Sequence, residues 1–405
     1  MGIRGKHIVL GVSGSIAAYK AADLASKLVQ AGARVSVILT QAAAEFITPL
    51  TFRSLTHQPV ITQWWDPSSE LAIQHVHLAE SADAVLIAPA TADVMAKIAF
   101  GMADDPLTGT VLATQAPLLV APAMDAHMYE NPATQHNVAL LRDRGVTIID
   151  PERGRLASGL VGTGRLASSE TILGILAQAL GRDGDLKGQK IVVTAGPTEE
   201  PLDPVRHISN RSSGKMGFAI AEAARDRGAQ VVLITGPTAL ADPPGITTLH
   251  IRTALELRDQ VQAAVKQAQA IIMAAAPGDF RAASVASQKI KKGLEDSMVV
   301  ELIKNPDIIA ETTGDFLKIG FAAESEDLLK NAQTKLREKG LDMIVANDIT
   351  AENSGFGVDT NKVFLLEPKG EVKELPLLMK SEVADRILDR MTELLAHRDK
   401  RPVKT

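Results

Sequence analysis

Two segments carry the residue types best suited to hold an anion, and both stand where a strand hands over to a helix. Gly11-Val12-Ser13-Gly14-Ser15-Ile16 follows a β-branched run. Small residues let backbone N–H groups approach a phosphate, and the start of the next helix adds partial positive charge. The spacing is not the G-x-G-x-x-G dinucleotide pattern, and a tight turn without ligand fits the same residues. His207-Ile208-Ser209-Asn210-Arg211-Ser212-Ser213-Gly214-Lys215-Met216-Gly217 sets hydroxyls, a glycine and a lysine before a second helix. It is no P-loop, because Met216 stands where a hydroxyl would hold Mg2+ and the upstream glycine is missing. A capped helix with a solvated lysine is the plain alternative. Other strand ends are small or polar: Thr40, then Pro89-Ala90-Thr91, then Met124-Asp125, and far downstream Met273-Ala274-Ala275 with Asp279. Ligands of open α/β sheets sit beyond the carboxyl ends of the strands, so binding chemistry is expected in these loops.

Short β-branched runs alternate with helix-length segments, which predicts βαβ units around parallel sheets. In the first half strands are expected over 6–10, 35–39, 84–87, 117–120 and 146–149, with a helix over 16–31 closed by Gly32. The pattern lapses in the polar, glycine-rich run 181–188. It restarts with strands over 190–194, 230–235, 270–274, 318–322 and 341–346. Helices are expected over 217–228, 254–267, 307–313, 326–339 and 381–396. The fold class is therefore α/β, with two doubly wound, Rossmann-like domains over 1–180 and 189–405 and a linker over 181–188.

Composition narrows the function. The 405 residues are 45% hydrophobic and 22% charged, enough apolar material for two cores. With 43 basic and 48 acidic residues the net charge is -5, so no basic field points to nucleic acid. The cysteine count is 0, which excludes disulfides, thiolate zinc sites and cysteine nucleophiles. Neither a signal-like nor a membrane-length apolar run is present, so a cytoplasmic location is expected. No dense carboxylate or histidine cage marks a metal site, and metal ligands stay unassigned.

The strand ends of the first half, with Gln74-His75-Val76-His77 and Val161-Gly162-Thr163-Gly164-Arg165, resemble one half of a known family. That is the phosphopantothenoylcysteine decarboxylase half of the bifunctional coenzyme A biosynthesis proteins. The resemblance implies a flavoprotein with flavodoxin-like layers that binds FMN along Gly14, Ser15, Thr40, Pro89, Ala90 and Thr91. It also implies a homo-oligomer built on trimers, up to a dodecamer. The family's flavin oxidises the cysteine moiety, CO2 leaves, and reduced flavin returns hydride to the enethiol. His75 is implied as the base near the substrate thiol, a role suited to a group titrating near neutrality.

Two departures stand out. The family usually has Pro-Ala-Met-Asn, with the amide on the substrate carboxylate, whereas this chain has Asp125. The family's proton donor is usually a flap cysteine, and the matching position is Ser158, a far weaker acid. The expectation is a coupled change, in which a buried, protonated Asp125 supplies the proton that Ser158 cannot, with Ser158 holding the flap or a water in place. The alternative is a flavin-binding scaffold that has lost decarboxylation, fused to an active ligase.

The second half, from 190 to about 395, resembles the phosphopantothenate–cysteine ligase of the same family. In most bacterial members CTP and Mg2+ activate 4'-phosphopantothenate as an acyl-cytidylate, which cysteine attacks. The resemblance implies Asn210 on the carboxylate and acyl intermediate, Lys289 on phosphate charge, and Asp279 on the ribose or base. Met273, Ala274, Ala275, Pro306, Asp307, Ile308, Ile309 and Phe321 would lie along the nucleotide, with Lys335 and Lys339 on the triphosphate. The run Lys289-Ile290-Lys291-Lys292 would bring cations over the phosphates. Pro277-Gly278 departs from the two small aliphatic residues usual before the aspartate.

Overall fold

The computed structural model describes residues 2–64, 74–291, 297–324, 327–348, 355 and 357–399. Lys292 and Glu326, named in the sequence reading, lie outside them. The chain divides into two units, Gly2–Leu180 and Gly181–Thr405.

In the first unit, β1 (His7–Val12), β2 (Arg34–Leu39), β3 (Val60–Ile61), β4 (Ala84–Ala90), β5 (Leu118–Pro122) and β6 (Thr147–Ile148) form one parallel sheet. Its order is β3-β2-β1-β4-β5-β6. Every residue of β1 and β4 is buried, because helices cover both faces of a parallel sheet. Helix Ala18–Gln30 explains one face: Ala18, Ala21, Leu24, Ala25 and Leu28 recur at helical spacing and are buried. Gly32, at φ 86°, then turns the chain back toward β2, in a left-handed conformation that a side chain would resist. The sheet winds one way from β1 to β3 and the other way from β4 to β6. The crevice at that reversal is where a ligand fits.

A feature the alternation of runs did not foretell is an antiparallel hairpin, β7 (Glu152–Arg155) with β8 (Val161–Arg165). Its strands are short and glycine-bearing, so they carry no hydrophobic period. Its position is set instead by contact with the end of β5. Met124 N–H donates to the Gly164 carbonyl at 3.0 Å. A Cβ on Gly164 would stand 2.3 Å from the Met124 carbonyl, and one on Gly162 would stand 2.6 Å from the Ala126 side chain.

The second unit repeats the winding. Its parallel strands are β9 (Lys190–Ala195), β12 (Gln230–Thr235), β13 (Thr247–His250), β14 (Ala270–Met273), β17 (Leu317–Glu324) and β18 (Met343–Asp348). Small hairpins insert between them: β10 (Glu199–Pro201) with β11 (His207–Ser209), and β15 (Phe280–Ala282) with β16 (Leu302–Lys304). β20 (Val363–Leu366) and β21 (Val372–Glu374) extend the sheet antiparallel, while β19 (Thr360–Asn361) pairs with β22 (Leu378–Met379). The order is β13-β12-β9-β14-β17-β18-β20-β21, so the direction reverses between β9 and β14. Residues 181–188, read from sequence as a linker, pack with this unit, and Leu186 is fully buried in its core.

Candidate active sites

In the first unit, a cavity of about 640 Å3 opens at the β1/β4 reversal. Gly14, Ser15 and Thr91 line it. Gly14 has no room for a side chain, since a Cβ would meet that of Ala42 at 2.5 Å. Thr40, Pro89 and Ala90 are buried and do not line the cavity. Thr40 caps the short helix Gln41–Ala44 by accepting from Ala43 N–H. Pro89 accepts from Ser13, whose hydroxyl donates to the Pro89 carbonyl at 2.8 Å and accepts from Thr91 N–H at 2.9 Å. Ser13 thus braces the two ligand-facing loops, a role its sequence position only hinted at.

Asp125 and Ser158 share this cavity with three cations, Lys20, Arg155 and Arg165. Ser158 Oγ donates to Asp125 Oδ2 at 2.6 Å, and His127 N–H donates to Oδ1 at 3.0 Å. These bonds hold the Asp125 carboxyl below the ordinary carboxylate range, the Ser158 hydroxyl contributing most. The two hydrogen bonds to its oxygens favour the charged form of Asp125, against the protonated aspartate expected from sequence. Burial, with Arg165 nearby, lowers the Lys20 ammonium. His75 does not line the cavity; its ring meets Trp64 edge-on at 4.8 Å. Lys20, in helix Ala18–Gln30, and Arg155 and Arg165, which end β7 and β8, were given no role from sequence, because isolated cations carry no spacing signal.

In the second unit, a cavity of about 410 Å3 lies past the end of β14 and beside Gly320 and Phe321 in the middle of β17. Met273, Ala275, Asp279, Pro306, Asp307, Ile308, Ile309, Phe321, Lys335 and Lys339 all line it. A neighbouring cavity of about 380 Å3 holds Asn210 and Ala274. The two share Ala275, Pro277, Asp279, Phe321 and Lys335. Lys339 Nζ lies 3.0 Å from the Asp307 carboxylate inside the first of them. Asn210 Nδ2 donates to the Ala276 and Pro277 carbonyls, at 3.2 and 3.0 Å, tying helix start to strand end.

The helix start at Lys215–Arg225 approaches β9 through Gly217, where a Cβ would stand 2.7 Å from the Thr194 carbonyl. Lys215 turns its ammonium to the Gly357 carbonyl and Asp359, both at 2.8 Å, so any anion there meets backbone N–H groups and Ser212 first. Lys289 is exposed and lines neither cavity. Its neighbour Ile290 is anchored, N–H to Asp203 and carbonyl to Arg206. Among the described residues, no group of three or more His, Asp or Glu side chains is placed to hold a metal. No helix among them is long and apolar enough to cross a membrane.

Residues 2–181 match the Flavoprotein family model, and residues 186–395 match that of the DNA/pantothenate metabolism flavoprotein C-terminal domain. A Coenzyme A biosynthesis bifunctional protein CoaBC from Vibrio vulnificus (strain YJ016) is 44% identical over 400 residues, covering 98% of this chain and 99% of its own. The protein of that name from Bacillus subtilis (strain 168) is 42% identical over 398 residues, 97% of this chain and 98% of its own. A crystal structure of the C-terminal domain of a Coenzyme A biosynthesis bifunctional protein CoaBC is 40% identical, with a TM-score of 0.46. It covers 53% of this chain and 99% of that one. With a flavoprotein unit, a ligase-type unit and this identity across nearly its whole length, the chain belongs to the family of coenzyme A biosynthesis bifunctional proteins.

Proposed function

We propose that the chain catalyses two consecutive steps of coenzyme A formation in the cytoplasm. The second unit ligates 4'-phosphopantothenate to cysteine with CTP and Mg2+ through an acyl-cytidylate. The first decarboxylates the resulting phosphopantothenoylcysteine to 4'-phosphopantetheine with FMN. One observation carries the reading. All the residues assigned to the nucleotide from sequence, except Ala274 and Lys289, line one cavity that runs into the cavity of Asn210.

A carboxylate becomes an acyl donor only when its oxygen is turned into a leaving group, so nucleotide and acid must meet end to end. Met273, Ile308 and Leu341 supply an apolar wall for a base. Lys335, which lines both cavities, stands where phosphates would pass from one to the other. The N–H groups at the start of helix Lys215–Arg225 add positive charge beyond it. Metal contacts come from phosphates and water in this reading, which needs no ligand cage, and none is formed among the described residues.

The residues of the first cavity fit FMN: a side-chain-free approach at Gly14, a helix start after Ser15, and cations at Lys20, Arg155 and Arg165. FMN, when bound, supplies the two-electron oxidation and its reversal. The chain itself binds and orients the substrate. We take the enzyme to be a homo-oligomer in which His75 of one copy completes the cavity of another, because within one chain His75 lies outside it. The test is one coupled assay with 4'-phosphopantothenate, cysteine, CTP and Mg2+. Yellow protein and CTP-dependent release of CO2 with 4'-phosphopantetheine are expected. Accumulation of phosphopantothenoylcysteine by flavin-loaded protein would overturn the first-unit assignment, and lack of any CTP-dependent product the second.

A further inference from the structure

Residues 156–160 connect β7 to β8, and Leu156, Ala157 and Ser158 form part of the first cavity's wall. The hairpin behind them is fixed by backbone: the Met124–Gly164 hydrogen bond and the close approaches at Gly162 and Gly164. The tip closes on itself, Leu156 N–H donating to the Leu160 carbonyl at 2.8 Å and Gly159 N–H to the Leu156 carbonyl at 2.9 Å, bonds that do not tie it to the cavity wall. Leu156, Ala157, Gly159 and Leu160 have no hydrogen-bonding side chain, which leaves Ser158 to tether it. Its partner Asp125 is itself immobilised, as the cap of helix Ala126–Glu130.

We propose that Asp125 and Ser158 form a single latch that positions the hairpin tip against the first cavity through their 2.6 Å hydrogen bond. The inference deepens the flavin-dependent reading of this unit and rests on it. Its chemistry explains why the two departures occur together. A hydroxyl donating to a carboxylate makes a short bond, about twice as strong as a neutral one. A thiol is a weak donor, so a carboxylate at 125 calls for a hydroxyl at 158. An amide at 125 could still cap the helix through its oxygen but would turn N–H toward 158, which sulfur can accept. Asp with Ser is thus a matched set and Asp with Cys a mismatched one, whereas an amide at 125 can donate to either residue at 158. The charge on Asp125 does not close the site to a carboxylate substrate, because Lys20, Arg155 and Arg165 leave the wall net positive.

The experiment is a double-mutant cycle on the flavin-loaded full chain: Asp125→Asn, Ser158→Cys and both together, with Ser158→Ala and Ser158→Thr beside them. Three quantities are read: chymotryptic cleavage at the tip leucines, FMN release on dilution, and KM for phosphopantothenoylcysteine. Ser158→Ala and Ser158→Cys are expected to raise each about tenfold, the size of one lost charge-assisted bond. The double variant should recover most of the Ser158→Cys loss, and Ser158→Thr should stay closer to the parent than Ser158→Ala does. Effects of the single changes that simply add in the double variant would overturn the latch. Ligase turnover in the same samples reports folding. If the cycle shows coupling but the parent makes no 4'-phosphopantetheine, the decarboxylase reading fails and the latch stands.

Discussion

At the scale of single residues, charge placement separates binding groups from structural ones. Lys339 is already paired with Asp307 at 3.0 Å inside the cavity assigned to the nucleotide, so its ammonium waits at a fixed address. Replacing it should weaken CTP without touching the carboxylate substrate. Lys339→Ala is expected to raise KM for CTP about tenfold, read from initial rates, and an unchanged KM would remove Lys339 from the site. His7 shows the opposite case. It is buried, with Ser36 Oγ 2.9 Å from Nε2 and Arg34 Nη2 2.6 Å from Nδ1. Burial lowers its pKa, so folding favours the neutral ring. Its contribution to stability is complete above the unfolded value of about 6.5 and is lost as pH falls below that. The melting temperature should decline from pH 7 toward 5.5, and His7→Asn should flatten part of that decline.

At the scale of elements, glycines decide how closely a helix or hairpin can approach a strand. Gly217 lets helix Lys215–Arg225 lie on β9, where a Cβ would meet Ala195 Cβ at 2.6 Å and the Thr194 carbonyl at 2.7 Å. Gly217→Ala should cost about 1–3 kcal/mol by overpacking and shift the helix start that faces the phosphates. A thermal melt with a ligase assay checks both effects, and an unaltered melt would show that the helix has slack. Helix Ala254–Ala264 opens with a capping box, Thr253 accepting from Glu256 N–H while the Glu256 carboxylate accepts from Thr253 N–H. That start was legible, since a Thr-x-x-Glu spacing precedes the helix expected from 254. The β7–β8 hairpin was not, because what registers it is Met124 and Ala126, some forty residues upstream of Gly164 and Gly162.

At the scale of the whole molecule, two sheets of the same winding each carry two buried apolar clusters and their own set of cavity residues. Each cavity is lined wholly from one unit. A ligase-disabled Lys335→Ala/Lys339→Ala variant should therefore decarboxylate supplied phosphopantothenoylcysteine at the parent rate. A loss of that activity beyond twofold would mean that the units are coupled.

The strand and helix alternation, the restart near 190 and the clustering of small or polar residues at strand ends were all determined by local sequence. Periodicity and turn chemistry act over a few residues and can be read there. Whether a group reaches a cavity was decided by tertiary structure alone. Thr40, Pro89 and Ala90 end or follow strands as Thr91 does, yet only Thr91 faces the space. The pairing of Asp125 with Ser158 belongs to the same class. Sequence supplied a carboxyl and a hydroxyl thirty-three positions apart, and only the folded hairpin brings them to 2.6 Å, where the hydrogen bond lowers the carboxyl pKa.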